Sequence, residues 1–188
     1  MENVRELPLS IQDFEKLRTN GCLYVDKTRY IYELTRKPWA YFLGRPRRFG
    51  KSLLLTTLKE YFLGKKELFE GLAIADLEKD WIEYPVFHID MNFDSYLNLD
   101  SLYSVLNINL RRLESKWGKD DDEKSPSDRL QGLIRRASEQ TGRKVVVLVD
   151  EYDKPLLGPY TAGNKRLVKV GAEFSTEERG LSRWVVRE

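Results

Sequence analysis

The sequence predicts an α/β fold in which helices flank a largely parallel sheet. Short apolar segments with strand character occur at residues 22–25, 39–43, 85–91 and 144–149. Segments with the 3–4-residue spacing of an amphipathic helix alternate with them, which favours parallel strands joined through helices. Residues 145–149 are apolar without interruption, as in a strand covered on both faces of such a sheet.

Helix limits are predicted from capping residues and from apolar spacing. A short helix is expected at residues 10–19, starting at Ser10, and Asp26 is expected to cap the helix that ends before Pro38. Further helices are expected at residues 52–62 and 99–117. A last helix is expected from Pro126, after the N-cap Ser125, to a stop at Gly142.

Composition narrows the class of protein. A chain of 188 residues with 41% hydrophobic residues can bury a core, and a net charge of +2 gives no charge-based reason to expect nucleic acid. The single cysteine, Cys22, excludes an internal disulfide and a cysteine zinc cluster. The N-terminus has no signal-peptide pattern and the longest apolar run is too short to cross a bilayer, so a cytoplasmic protein is expected.

A basic segment between a predicted strand and a predicted helix resembles a phosphate-binding loop. Backbone N–H groups and the positive end of a helix bind phosphate there. Gly50 would let the backbone approach, Lys51 would reach the β- and γ-phosphates, and the Ser52 hydroxyl would ligate Mg²⁺. The candidate nucleotide-binding residues are Arg45, Pro46, Arg47, Arg48, Phe49, Gly50, Lys51, Ser52 and Leu53.

This loop departs from the usual pattern of two glycines separated by four residues. Arg45 stands at the first glycine position, and Gly44 lies one residue too early. The alternative interpretation is a basic strand-to-helix turn that binds nothing specific.

Two carboxylates follow the last apolar strand. Ligands of parallel sheets bind beyond the carboxyl ends of the strands, which is where Asp150 and Glu151 fall. Asp150 would hold the Mg²⁺ hydration shell, and Glu151 would orient or deprotonate the attacking water. The alternative for both acids is helix capping. With the phosphate loop about a hundred residues earlier, the pattern predicts a site for ATP and Mg²⁺, with Glu151 and Lys51 as candidate catalytic residues.

Two further polar residues lie in the predicted strand at 85–91. His88, the only histidine, alternates with apolar neighbours, so a hydrogen-bonded structural histidine is expected. Asp90 stands near the end of the strand and is a secondary candidate for the same crevice.

Several motifs together resemble a bacterial AAA-ATPase-like family, whose members carry an N-terminal P-loop domain and a C-terminal PD-(D/E)XK nuclease-like domain. The motifs are Leu7-Pro8-Leu9, Tyr24-Val25-Asp26-Lys27-Thr28, the loop from Arg45 to Leu53, Phe69-Glu70-Gly71-Leu72, Tyr84-Pro85-Val86 and Asp150-Glu151-Tyr152-Asp153-Lys154-Pro155-Leu156. Arginine at the first glycine position is typical of that family. The resemblance implies a P-loop NTPase-type sheet and nucleotide roles for Lys51, Ser52, Asp150 and Glu151. It leaves the role of Asp26, Lys27 and Thr28 open.

The resemblance divides the chain into three parts. Residues 1–157 are interpreted as an incomplete AAA-ATPase-like P-loop domain, and residues 158–164 as a linker. Residues 165–188 resemble the last strands of the family's nuclease-like domain and are expected to form a C-terminal β-hairpin from segments 168–174 and 182–186. The hypothesis is that the chain joins the beginning and the end of a longer ancestor, which leaves the sheet truncated.

The sequence therefore predicts an ATP-binding P-loop protein with Mg²⁺-dependent hydrolysis. Hydrolysis is expected to be weak, because the sequence offers no identifiable sensor residue or arginine finger, and lack of a finger typically costs about 10³–10⁵ in rate. The alternatives are a nucleotide-binding remnant without catalysis and a non-functional deletion relic. Nucleic acid as a partner rests on family analogy alone, and self-association is left open.

Overall fold

The computed structural model describes residues 6–36, 41, 43, 49–92, 96, 98–155 and 182–183. Within them, six α-helices, one 3₁₀ turn and three strands are formed. The helices are α1 (Phe14–Thr19), α2 (Thr28–Thr35), α3 (Lys51–Phe62), α4 (Ala73–Leu77), α5 (Leu99–Trp117) and α6 (Pro126–Thr141), and the 3₁₀ turn covers Lys66–Phe69. The strands are β1 (Val86–Asp90), β2 (Val146–Asp150) and β3 (Ser182–Arg183). None of the helices in this described part is long and apolar enough to cross a membrane.

The sheet is parallel, as the alternation of apolar strands and helices predicts. β1 pairs with β2 from Val86 opposite Val146 to Asp90 opposite Asp150. β3 pairs in parallel with the first half of β2, where Ser182 lies opposite Val146. The second segment of the predicted C-terminal hairpin therefore contacts β2 over two residues, and the first segment, 168–174, lies outside the described residues.

Helices cover both faces of this sheet. Side chains alternate along a strand, so Val146 and Leu148 point to one face and Val147 and Val149 to the other. The first pair belongs to a buried cluster that includes side chains of α1, α2, α3 and α4. The second pair packs against two clusters built from α5 and α6. The described part of the chain is therefore a parallel sheet between two helical layers.

A group of aromatic side chains holds together the helical layer formed by α1, α2, α3 and α4, here called the first layer. Phe69 is fully buried, and its ring centroid lies 4.8 Å from Phe14 and 5.2 Å from Trp81. Tyr61 of α3 meets Phe69 edge-on at 6.3 Å. Because these rings come from α1, α3, the 3₁₀ turn and the segment before β1, they fix the position of α3 on the sheet.

Ion pairs support the other helical layer, formed by α5 and α6 and here called the second layer. Arg129 of α6 forms a bidentate pair with Glu114 of α5, at 2.6 and 2.9 Å. Arg136 binds Glu123 of the connecting loop in the same way, at 2.6 and 3.0 Å. All four side chains are largely buried, and bidentate geometry gives such pairs directional strength.

The N-terminal part of the chain differs from the prediction at two points. The first helix begins at Phe14 rather than Ser10, because the Asp13 carboxylate caps it by accepting from the Lys16 N–H at 2.8 Å. The predicted strand at 22–25 is wrong: the segment pairs with no strand in the described part of the chain, and the Leu23 N–H donates to the Glu6 carbonyl. The predicted strand at 39–43 lies mostly outside the described residues, and described Tyr41 and Leu43 belong to no strand.

The N-cap of α2 is Lys27, without a side-chain capping hydrogen bond, rather than the predicted Asp26. Asp26 and Thr28 instead join the start of α2 to α4. Asp26 Oδ1 accepts from the Thr28 N–H and hydroxyl, at 2.8 and 2.7 Å, at the start of α2. Asp26 Oδ2 accepts from the Ala73 N–H at 2.7 Å, and the buried Thr28 hydroxyl accepts from the Ile74 N–H at 3.1 Å. One carboxylate and one hydroxyl thus satisfy the first two N–H groups of α4 and join it to α2.

Asp26→Asn is expected to destabilise the fold by about 1 kcal/mol at pH 7, because an amide offers one acceptor oxygen where the carboxylate offers two. Burial opposes ionisation of Asp26, but hydrogen bonds from Ala73 and Thr28 outweigh it and lower the pKa of the carboxyl group. Because this pKa is lower in the folded than in the unfolded state, the ionised carboxylate stabilises the fold at pH values above the unfolded pKa of about 3.9. The stabilisation disappears as the pH falls through the folded pKa. Urea denaturation at pH 7 and pH 3 measures both effects.

The matched control for this prediction is Asp122→Asn in the exposed loop before α6. It should leave stability unchanged at both pH values. Equal stability of Asp26→Asn and the wild type at pH 7 would contradict the capping role of Asp26.

Candidate functional site

The first turn of α3 begins at a glycine in a left-handed conformation. Gly50, the N-cap, has φ 75° and ψ 27°, a region that costs other residues energy, and its carbonyl accepts from the Leu54 N–H at 3.0 Å. Lys51 and Ser52 follow as the first two helical residues, and both are half-buried. The N–H groups of this turn have no partner within the helix, which makes it a place where an anion is stabilised.

The other residues of the predicted loop fall into three groups. Phe49 is largely exposed, and Leu53 packs against the buried cluster of the first layer. Arg45, Pro46, Arg47 and Arg48 lie outside the described residues.

Contacts at the far end of α3 fix its direction relative to the sheet. The Tyr84 N–H, just before β1, donates to the carbonyl of Phe62, the last residue of α3, at 2.7 Å. Leu55 and Leu58 share a buried cluster with the β2 residues Val146 and Leu148. A 12-residue helix is about 18 Å long, close to the length of a five-residue strand. The first turn of α3 therefore lies towards the carboxyl ends of β1 and β2.

Two aspartates end these strands side by side. Asp90 and Asp150 are register partners, and the Met91 N–H donates to the Asp150 carbonyl at 3.0 Å. Because side chains two residues apart in a strand share a face, Asp90 lies on the same face as His88, and Asp150 on the same face as Val146 and Leu148. This is the face that α3 covers. Asp150 is half-buried and Asp90 is exposed. The secondary candidate Asp90 thus lies beside the primary candidate Asp150.

Glu151 begins a tight turn directly after β2. Its φ of 54° is left-handed, which is unusual for a residue with a long side chain. Its N–H donates to Asp150 Oδ1 at 3.0 Å, and its carbonyl accepts from the Lys154 N–H at 3.1 Å. Strained backbone of this kind clusters at functional sites, where the surrounding structure holds it.

Sequence reasoning missed a contact at this edge of the sheet. The Lys154 ammonium donates to Asn92 Oδ1, which joins the turn after β2 to the segment after β1. The Asn92 N–H in turn donates to Asp90 Oδ1 at 2.8 Å. The available signal was the position of both residues just after a predicted strand end, because parallel strands end at the same edge.

His88 differs from its prediction in one respect. Its side chain is half-buried in the sheet, but Nε2 is buried without a hydrogen-bond partner among the described residues. Burial lowers the pKa of His88, although the Asp150 carboxylate opposes the shift. Burial therefore favours the neutral imidazole, and the expected hydrogen bond is not made by Nε2 within the described part of the chain.

The oxygen-bearing side chains suit Mg²⁺ better than a metal that needs a full protein cage. No cluster of three or more His, Cys, Asp or Glu side chains with metal-binding geometry occurs in the part of the chain that the structure describes. Mg²⁺ is commonly held by one or two protein oxygens together with substrate phosphates and water. The Ser52 hydroxyl and the Asp150 carboxylate are donors of that kind.

Comparisons with known proteins agree with the resemblance seen in the sequence. The sequence model of the AAA-ATPase-like family, described as a predicted AAA-ATPase, matches residues 8–174. An uncharacterized protein in the vnfD 5′ region of Azotobacter chroococcum mcd 1 is 40% identical over 159 residues, which are 84% of this chain and 31% of that protein. The chain thus spans about a third of the length of this relative. No solved structure matches the chain. The chain belongs to the AAA-ATPase-like family.

Proposed function

We propose that the chain binds Mg-ATP at the edge of the sheet where β1 and β2 end, and that it hydrolyses ATP slowly. One observation supports this most strongly. The first turn of α3 is directed towards the strand ends that carry Asp150 and Glu151, so a phosphate-binding element and a carboxylate pair face one region. Membership of a predicted AAA-ATPase family supports the same class of ligand.

The phosphate end of the nucleotide would lie against the start of α3. Among the described residues, no atom lies within 4 Å of the point to which a side chain on the left-handed Gly50 would project, which supports an approach of phosphate to the backbone there. Lys51 would bind the β- and γ-phosphate oxygens through its ammonium group. The candidate nucleotide-binding residues Arg45, Pro46, Arg47, Arg48 and Phe49 would precede this turn in the proposed loop, and Leu53 would support it from the buried cluster.

Ser52 and Asp150 would hold the magnesium ion. The ion neutralises charge on the β- and γ-phosphates when it is bound. Asp150 Oδ1 accepts from the Glu151 N–H, and Oδ2 accepts no hydrogen bond from the described residues. That second oxygen is the one we assign to the hydration shell of Mg²⁺.

Glu151 would orient or deprotonate the water that attacks the γ-phosphate. Glu151 follows Asp150 directly in the chain and begins the turn at the carboxyl end of β2, which supports this assignment. Turnover is expected to be slow in the isolated chain because no described residue is identified as an arginine finger, and a site that works without one is slower by about 10³–10⁵.

Glu151→Gln is expected to abolish phosphate release while Mg-ATP binding persists, because the amide keeps the shape of the side chain but accepts no proton. Single-turnover phosphate release and calorimetric titration measure the two properties. The exposed residue Glu139, on α6, gives a matched control in Glu139→Gln. Unchanged release in Glu151→Gln would contradict the catalytic role, and binding without release in the wild type would favour a nucleotide-binding remnant.

The history of the C-terminal part is a separate proposal, based on the resemblance of residues 165–188 to the end of a nuclease-like domain. We propose that the chain joins the two ends of a longer ancestor. Relatives that carry the intervening segment would support this history, and intact relatives that all share this ending would contradict it. Nucleic-acid binding rests on family analogy alone, self-association is left open, and no residue is assigned to either.

A further inference from the structure

The contact between Lys154 and Asn92 bridges the two strand ends of the proposed site. We propose that these residues form a clamp that fixes the Glu151 turn, so that Lys154 and Asn92 are positioning residues for ATP hydrolysis. This inference rests on the proposed function and extends it to residues that neither the phosphate loop nor the carboxylate pair includes.

The clamp is anchored firmly on the β1 side. The Asn109 side chain exchanges two hydrogen bonds with the backbone of Asp90, donating to its carbonyl at 2.9 Å and accepting from its N–H at 3.1 Å. The buried Tyr96 hydroxyl donates to the Met91 carbonyl at 2.8 Å. Asn92 is the next residue, and its N–H is held by Asp90 Oδ1. The acceptor for Lys154 therefore stands on a backbone that α5 and Tyr96 hold in place.

The β2 side of the clamp is the turn that needs support. Glu151 is in the left-handed region, which is unfavourable for a non-glycine residue and persists where neighbouring contacts hold it. The Lys154 N–H closes the turn on the Glu151 carbonyl at 3.1 Å. The side chain of the same lysine reaches Asn92. Lys154 thus ties the Glu151 turn to the fixed end of β1.

The chemistry of the pair fits a positioning role. The partner of the Lys154 ammonium is a neutral amide, and no described carboxylate forms an ion pair with it, so it adds positive charge beside the ends of β1 and β2, where Asp90 and Asp150 stand. A general base must be held within hydrogen-bond reach of its water, and small displacements reduce the rate. Loss of either partner should therefore lower turnover more than nucleotide affinity.

Steady-state phosphate release from the full chain separates these effects. Lys154→Met and Asn92→Ala are each expected to lower kcat about tenfold with KM for Mg-ATP changed by less than about twofold. Lys154→Arg should recover most of kcat because it keeps a cationic donor. The double variant should be no slower than either single variant, since both remove one contact. Lys144→Met, at an exposed lysine before β2, is the matched control.

A direct phosphate contact by Lys154 would give a different pattern. In that case Lys154→Met would raise KM about tenfold while Asn92→Ala left both constants unchanged, and the clamp would be overturned. The clamp would also be overturned if the reductions in kcat of the two single variants multiplied in the double variant, because the two residues would then act independently.

A measurement without nucleotide tests the clamp independently of whether the chain hydrolyses ATP. Amide hydrogen exchange of residues 150–154 should be faster in Lys154→Met and in Asn92→Ala than in the wild type. Equal exchange in all three proteins would overturn the clamp even if ATP is hydrolysed. A wild type that does not hydrolyse ATP would overturn the positioning role and the proposed turnover, whereas faster exchange in both variants would still establish the contact between the strand ends.

Discussion

Replacing Lys51 with alanine is expected to remove most of the thermal stabilisation that Mg-ATP gives the wild-type chain. A ligand at about 100 times its Kd stabilises the folded state by about 2.7 kcal/mol. For a chain of this length that corresponds to a rise in Tm of roughly 5–10 °C. Loss of the charged hydrogen bonds of Lys51 to phosphate would cost about 1.5–3 kcal/mol of binding free energy. Thermal melts with and without Mg-ATP measure the difference.

Lys66→Ala is the matched control, because Lys66 is an exposed lysine in the 3₁₀ turn. It should keep the full stabilisation by Mg-ATP. Without nucleotide, Lys51→Ala should melt close to the wild type, which separates loss of binding from loss of fold. An undiminished shift in Lys51→Ala would mean that the start of α3 does not hold the phosphates.

Phe69→Ala is expected to destabilise the fold by about 3–5 kcal/mol, the largest effect on stability that we predict. The ring is fully buried and contacts Phe14, Tyr61 and Trp81, so its removal leaves a cavity and breaks the aromatic group. These contacts seat α3 on the sheet, so nucleotide-induced stabilisation should weaken as well. Urea denaturation gives the change in unfolding free energy directly.

Tyr30→Ala provides the comparison, because Tyr30 of α2 is an aromatic residue that is 65% exposed. Its loss should change the unfolding free energy by less than about 0.5 kcal/mol. A similar cost for both substitutions would show that the aromatic group around Phe69 does not organise the first layer.

Elements with strong local signals were predictable from the sequence. The helix at residues 99–117 has the predicted limits, because apolar spacing sets its buried face and Asn98 caps its start. The last helix begins after Ser125 as predicted, since Ser125 and Asp128 form a capping box and Pro126 takes the first turn. β1 and β2 are likewise recognisable as short apolar runs.

Elements that depend on distant partners were not predictable. An extended apolar segment such as 22–25 is a strand only if another strand pairs with it, and here one backbone hydrogen bond joins Leu23 to Glu6 instead. The role of Asp26 and Thr28 depends on α4, 46 and 47 residues later in the chain. Neither the contact of Leu23 with Glu6 nor that of Asp26 and Thr28 with α4 produces a local pattern in the sequence.

In the candidate site, too, residues with a local sequence pattern were predictable and contacts between distant residues were not. Gly50, Lys51, Asp150 and Glu151 could be proposed from the sequence because phosphate loops and strand-end carboxylates have short patterns, and their roles stay predictions. The link from Lys154 to Asn92 joins residues 62 positions apart, and only the parallel register of β1 and β2 brings them together. Geometry across strand ends, rather than spacing along the chain, was the missing information.

A crystal structure of the chain with Mg²⁺ and a non-hydrolysable ATP analogue tests the central claim most directly. We expect the β- and γ-phosphates on the first turn of α3 and on Lys51, with the Ser52 hydroxyl and the Asp150 carboxylate both within reach of one metal ion and its water shell. A nucleotide bound elsewhere, or an Asp150 carboxylate too far from Ser52 to share an ion and its water shell, would contradict it.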